Sequence, residues 1–129
     1  EHGGGEAIPS PLDVVLNDVN IVEPDVIVIK TERASIVGPK NVQGAPNLVV
    51  EVLSDGSRRA DEIKKRKLYE QHGVDEYWIV DPELELVKIY RRTAAAFERV
   101  AEIGTEDGGT ITTPLLPGLA LDVADVFAS

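Results

Sequence analysis

Cysteine is absent from this 129-residue chain. Its absence excludes disulfides, thiolate metal sites and a cysteine nucleophile. Histidine is almost as scarce, with only His2 and His72, so a multi-histidine metal site is excluded as well. No apolar run is long. Residues 26–29 and 48–50 fall far short of the ~20 residues that span a bilayer, and no membrane partner is expected. The opening Glu1-His2-Gly3-Gly4-Gly5 lacks the basic-then-apolar order of a signal peptide. With no cysteine, the chain suits a reducing compartment, and a cytoplasmic location is expected. Gly3 to Gly5 follow no strand, so they are no phosphate loop. Ser54 and Ser57 have no general base close by in sequence, which argues against a serine-nucleophile hydrolase. Positive charge is also short. Thirteen Lys and Arg face 23 Asp and Glu, a formal charge of −10, which argues against broad non-specific nucleic-acid binding.

What is present reads as one globular α/β domain over residues 1–129. Hydrophobic residues make up 43% and charged residues 28%, ordinary for a folded domain of this size. A chain that begins with Glu rather than Met is expected to have lost its true start. Cations are few but clustered: Arg58, Arg59, Lys64, Lys65, Arg66 and Lys67 lie within ten residues. Such a basic patch can coexist with an acidic whole.

Residues 1–10, rich in Gly and ending in Pro9-Ser10, read as a flexible lead-in. Residues 12–16 are a short β run. Pro24 fixes an extended entry into Asp25-Val26-Ile27-Val28-Ile29, whose β-branched run reads as a buried strand. Residues 31–46 read as loop, broken by Gly38-Pro39 and Gly44-Ala45-Pro46. The strongest strand is 47–54, apolar apart from Glu51. Residues 54–57 offer a turn and N-cap candidates. A helix is predicted over 58–72, with Gly73 where a left-handed C-terminal residue belongs. Strands follow at 75–80, 86–91 and 97–103, then a Gly108-Gly109 turn, an apolar loop over 115–121 and a terminal helix over 123–127. One helix covers one face of a sheet well, so the other needs cover from a missing N-terminal part or a second subunit.

Two carboxylates carry the chemical argument. Glu51 sits among Val49, Val50, Val52 and Leu53, and an unpaired charge buried there costs several kcal/mol even after relaxation. It needs a cation, hydrogen bonds or an open cleft, unless the strand is an edge with Glu51 on its wet face. Asp25 begins another apolar strand; alone it also suits a strand-entry turn. Two carboxylates on adjacent strands can share a hard cation such as Mg²⁺ or Mn²⁺, which takes oxygen ligands. On the helix, Asp61, Lys65 and Tyr69 recur at spacing four and share one side with Leu68 and His72. That side is expected to face the sheet, with Lys65 near Glu51 and with Arg66 and Glu70 toward water. The competing reading is an Asp61–Lys65 surface pair worth a few tenths of a kcal/mol. His72 reads as a C-terminal capping residue rather than a ligand.

Three blocks in order match a known pattern: Val22-Glu23-Pro24-Asp25-Val26; Gly44-Ala45-Pro46-Asn47-Leu48-Val49-Val50-Glu51-Val52-Leu53-Ser54; and Asp61, Lys65, Tyr69, Gly73-Val74, then Glu76-Tyr77-Trp78-Ile79-Val80-Asp81-Pro82. With Pro114-Leu115-Leu116-Pro117-Gly118-Leu119, the chain resembles the Uma family, bacterial proteins described as restriction endonucleases of the PD-(D/E)XK superfamily. The resemblance implies a restriction-endonuclease-like mixed β-sheet with one central helix packed on it, lacking the family's N-terminal segment. It implies Mg²⁺- or Mn²⁺-dependent hydrolysis of DNA phosphodiesters, with metal on Asp25, Glu51 and the Val52 carbonyl. Lys65 joins Asp25 and Glu51 as the third catalytic residue, supported by Asp61 and Tyr69. The superfamily's usual lysine, two positions after the glutamate, is Leu53 here. That departure keeps open a non-catalytic interaction or assembly module on the same scaffold. A homodimer is expected, since two nicks break a duplex and the sheet needs cover.

Overall fold

A computed structural model of the chain describes residues 5–9, 13–17, 19–53, 58–94 and 96–127, with the side chains of Gly5 and residues 58–61 outside that description. Its elements run β1 (Gly5–Pro9), β2 (Asp13–Val15), β3 (Ile21–Val22), β4 (Val26–Lys30), a 3₁₀ turn (Thr31–Ile36), β5 (Asn41–Gln43) and β6 (Leu48–Val52). Then come α1 (Arg58–Gln71), β7 (Glu76–Asp81), β8 (Leu86–Thr93), β9 (Ala96–Gly104), a second 3₁₀ turn (Thr105–Asp107), β10 (Thr110–Ile111), β11 (Leu121–Asp122) and α2 (Val123–Val126). The main sheet has six strands in the order β1-β4-β6-β7-β8-β9. Within it, β6 and β7 pair in parallel; the other pairs are antiparallel. A parallel pair needs a crossover, and α1 is that crossover.

The continuous apolar runs of β6 and β7 reflect burial on both faces. Val49, Tyr77 and Ile79 join Tyr69 of α1 and Val14 and Val42 of the small β3-β2-β5 sheet in one cluster. Leu48, Trp78, Val87 and Ile89 point the other way, into a second cluster with Ile111, Leu116 and Val123. The chain's own C-terminal segment thus covers part of the second face, and an apolar hollow lined by Ala7, Val26, Val50, Val80, Leu119 and Val126 stays open beside it.

The flexible lead-in expected over residues 1–10 is corrected for residues 5–9. They form edge strand β1, registered from Gly5 opposite Lys30 to Pro9 opposite Val26. Proline is tolerated there because an edge strand leaves one row of N–H groups unpaired. The loop expected over 31–46 contains a 3₁₀ turn and β5, which pairs in parallel with β2. That pairing is remote in sequence, so three residues carry no local sign of it. The turn expected at 54–57 lies outside the described residues. Helix α1 ends as predicted: Gly73 has φ +86°, and the Val74 N–H donates to the Tyr69 carbonyl at 3.1 Å.

Candidate functional site

Glu51 points to the α1 face of the sheet because strand side chains alternate and its neighbours two positions back and across, Val49 and Ile79, lie in that core. It is 6% exposed. The Tyr69 hydroxyl donates to Glu51 Oε2 at 2.8 Å. The Lys65 ammonium lies 3.3 Å from the same oxygen. The four-residue spacing of Lys65 and Tyr69 stacks them one turn apart over β6, which is the sheet-facing side that periodicity indicated. Tyr69 therefore contacts the carboxylate itself, not only Lys65.

Asp25 is half-buried, immediately before β4. Its Oδ2 accepts the Val52 N–H at 2.6 Å, so it is bound to the residue after Glu51. Adjacent antiparallel pairing of β4 and β6 brings the two carboxylates together although 26 positions separate them in sequence. Their mutual repulsion registers in the proton affinity of Glu51. Burial raises its pKa above the ordinary 4.5 and Asp25 adds to that rise, against lowering by the Tyr69 hydrogen bond and Lys65. Burial first, then the charge of Glu51, also holds the Tyr69 phenol well above its ordinary value. Tyr69 is thus a fixed proton donor to Glu51 and no general base near neutral pH.

Asp25, Glu51, Lys65, Tyr69 and the Val52 backbone come together. The side chain of Asp61, expected to support Lys65, lies outside the described residues. Arg66 and Glu70 do not face water as expected. Arg66 donates to the Tyr90 hydroxyl at 2.9 Å and lies over that ring, while Glu70 accepts the Phe97 N–H. Both are half-buried against β8 and β9, because the sheet extends beneath the helix on that side. Glu62 likewise meets Lys88 at 3.3 Å. His72 caps the helix as read from sequence. Its Nδ1–H donates to the Leu68 carbonyl at 2.9 Å, while Nε2 accepts from Asn17 Nδ2.

The Val52 N–H as a clamp on Asp25 is the element that sequence reading missed, since a backbone donor has no side-chain signature. Among the described residues no group of three or more His, Cys, Asp or Glu converges. The cluster therefore offers two carboxylates, backbone and a cation. This donor set of oxygens alone fits a hard divalent ion that keeps several waters.

No curated protein matches this sequence. Among solved structures, the crystal structure of a putative nuclease belonging to DUF820, from Anabaena variabilis, superposes with a TM-score of 0.76 at 22% identity. The superposition covers 95% of this chain and 68% of that one, and at this identity it speaks for the fold, a restriction-endonuclease-like mixed sheet. The Uma2 family model, described as "Putative restriction endonuclease", matches residues 1–124. That match takes in nearly the whole chain with Asp25, Glu51, Lys65 and Tyr69, and the chain belongs to the Uma2 family.

Proposed function

We propose that the chain is a metal-dependent endonuclease that hydrolyses DNA phosphodiester bonds, with Asp25, Glu51 and Lys65 as its catalytic residues. One observation carries the reading. A carboxylate buried in an apolar strand is held by a lysine and a tyrosine from the next helix, with a second carboxylate anchored at the following residue. Glu51, Asp25 and the Val52 carbonyl would hold Mg²⁺ or Mn²⁺. When bound, such an ion lowers the pKa of a coordinated water and neutralises charge developing on phosphate.

The chain's own residues do the rest. Tyr69 and Lys65 oppose the rise that burial gives the Glu51 pKa and so favour the ionised form that a metal would take. Val52 fixes the Asp25 carboxylate in direction. The Lys65 ammonium sits beside the carboxylate pair, where it orients the attacking water or donates to a phosphate oxygen, a preorganised charge in a partly water-excluded site. Leu53 occupies the superfamily's usual lysine position, and the Lys65–Glu51 contact supports relocation of that ammonium group to the helix.

The deciding experiment compares Mg²⁺-dependent cleavage of duplex DNA by the wild type, Glu51→Ala and Lys65→Ala. Loss of cleavage in both variants supports the assignment; equal cleavage by all three ends it. Calorimetric titration with Mn²⁺ separates this reading from a non-catalytic module, for which Leu53 speaks: a module without the site would take up no ion.

A further inference from the structure

Two ion pairs sit side by side beneath α1. Glu51 of β6 stands opposite Ile79 of β7, and Ile79 stands opposite Lys88 of β8. Residues paired across strands share a face of the sheet, so Glu51, Ile79 and Lys88 form one row facing the helix. Two strand spacings put the Lys88 backbone about 10 Å from that of Glu51 along the row. Above it, Lys65 meets Glu51 and Glu62 meets Lys88, each at 3.3 Å. Both acids are shielded, with side chains 8% and 12% exposed.

This pairing has a competitor. At 100° per residue, Glu62 lies about 60° round from Lys65 on the side of Arg66. A glutamate three positions before a lysine is within its reach on a helix. Glu62 instead accepts from Lys88, and the Lys65 ammonium lies against Glu51. A carboxylate as shielded as Glu62 is costly without a cation. Arg66, four positions on, is turned to the Tyr90 hydroxyl and ring. Without Lys88, the helix cation left to neutralise Glu62 is Lys65, and each Lys65 drawn to Glu62 is lost to Glu51.

We propose that Lys88 is a positioning residue for DNA cleavage: by occupying Glu62 it leaves Lys65 to the carboxylates Glu51 and Asp25. The proposal rests on the endonuclease reading and adds what keeps Lys65 where that reading needs it. Lys88 acts through Lys65 and touches neither metal nor substrate.

The test compares Lys88→Met with the double variant Lys88→Met, Glu62→Gln. In a crystal structure of the single variant the Lys65 ammonium should leave Glu51 for Glu62, and in the double variant it should return. For Mg²⁺-dependent cleavage of duplex DNA, measured per folded molecule, Lys88→Met should lower kcat on the order of tenfold with KM unchanged. That is short of the roughly 100-fold scale for losing a preorganised charge outright. The second change should restore most of kcat. A pair that merely ties α1 to β8 predicts no such rescue, because the double variant lacks both halves of the tie. Lys88→Gln, which keeps a polar tip, takes the place of Lys88→Met if that variant does not fold. If Lys65 stays on Glu51 in the single variant, or Arg66 takes Glu62, the inference falls. If the wild type cleaves and the second change restores nothing, it also falls, while the endonuclease reading stands. If the wild type does not cut DNA, both fall.

Discussion

Two buried glutamates on neighbouring parallel strands meet opposite fates. Glu76, 1% exposed at the start of β7, has both oxygens filled. Its Oε1 accepts from the Trp78 indole at 2.7 Å, and Oε2 accepts from Arg91 at 3.1 Å and the Thr113 hydroxyl at 2.7 Å. Those donors come from β7, β8 and the C-terminal segment, so Glu76 ties the cover of the second face to the sheet. Glu51, 6% exposed near the end of β6, meets its tyrosine and lysine at Oε2, and a second carboxylate lies beside it. Burial alone does not separate a carboxylate that ties strands together from one proposed to hold a metal. What separates them is whether the protein's own donors fill both oxygens.

The widest gap between the two should appear in activity. Glu51→Ala is expected to abolish Mg²⁺-dependent cleavage, whereas Glu76→Gln, measured per folded molecule, should keep it; loss of activity in both would break the comparison. Lys65→Ala should cost on the order of 100-fold in kcat, the usual scale for one preorganised charge, with Mn²⁺ uptake retained in calorimetry. The order reverses for stability. Glu76→Ala should lower the unfolding free energy by about 3 kcal/mol in denaturant titration, because it leaves Arg91 and Thr113 without their buried partner. Tyr69→Phe, which removes one donor from Glu51, should cost only about 1 kcal/mol.

The smallest effect is a pH dependence. Because burial raises the pKa of Glu51 above 4.5, the folded chain holds that proton more tightly than the unfolded one. Its contribution to stability is full below the unfolded value and is lost as pH rises through the raised folded value. Glu51→Gln should therefore remove part of the fall in Tm as pH rises above 4.5, provided no divalent ion is present. An unchanged profile would mean that Lys65 and Tyr69 fully offset the burial.

Local pattern made much of this legible. Helix α1, the β8–β9 meander, the cap at Gly73 and the terminal turn of helix all follow from periodicity and breaker residues. Asp25, Glu51, Lys65 and Tyr69 stood out because a carboxylate in an apolar strand is costly and a four-residue spacing stacks side chains on one helix face. Strand β1 was not legible, since the glycine-rich start of the chain reads as flexible and its partner lies far along the chain. Strand β5 was hidden for the same reason. Arg66 and Glu70 were misplaced because a charged side chain on the flank of a helix gives no sign of how far the sheet extends beneath it.

The sequence by itself determined which residues must be reconciled with burial. Only the tertiary structure decided how each was reconciled. Strand pairing, with its long-range closure, brought Asp25 against Val52, set Lys65 and Tyr69 on one oxygen of Glu51, and surrounded Glu76 with donors. Sequence spacing reports the face of an element, whereas the partner across that face depends on contacts between distant parts of the chain.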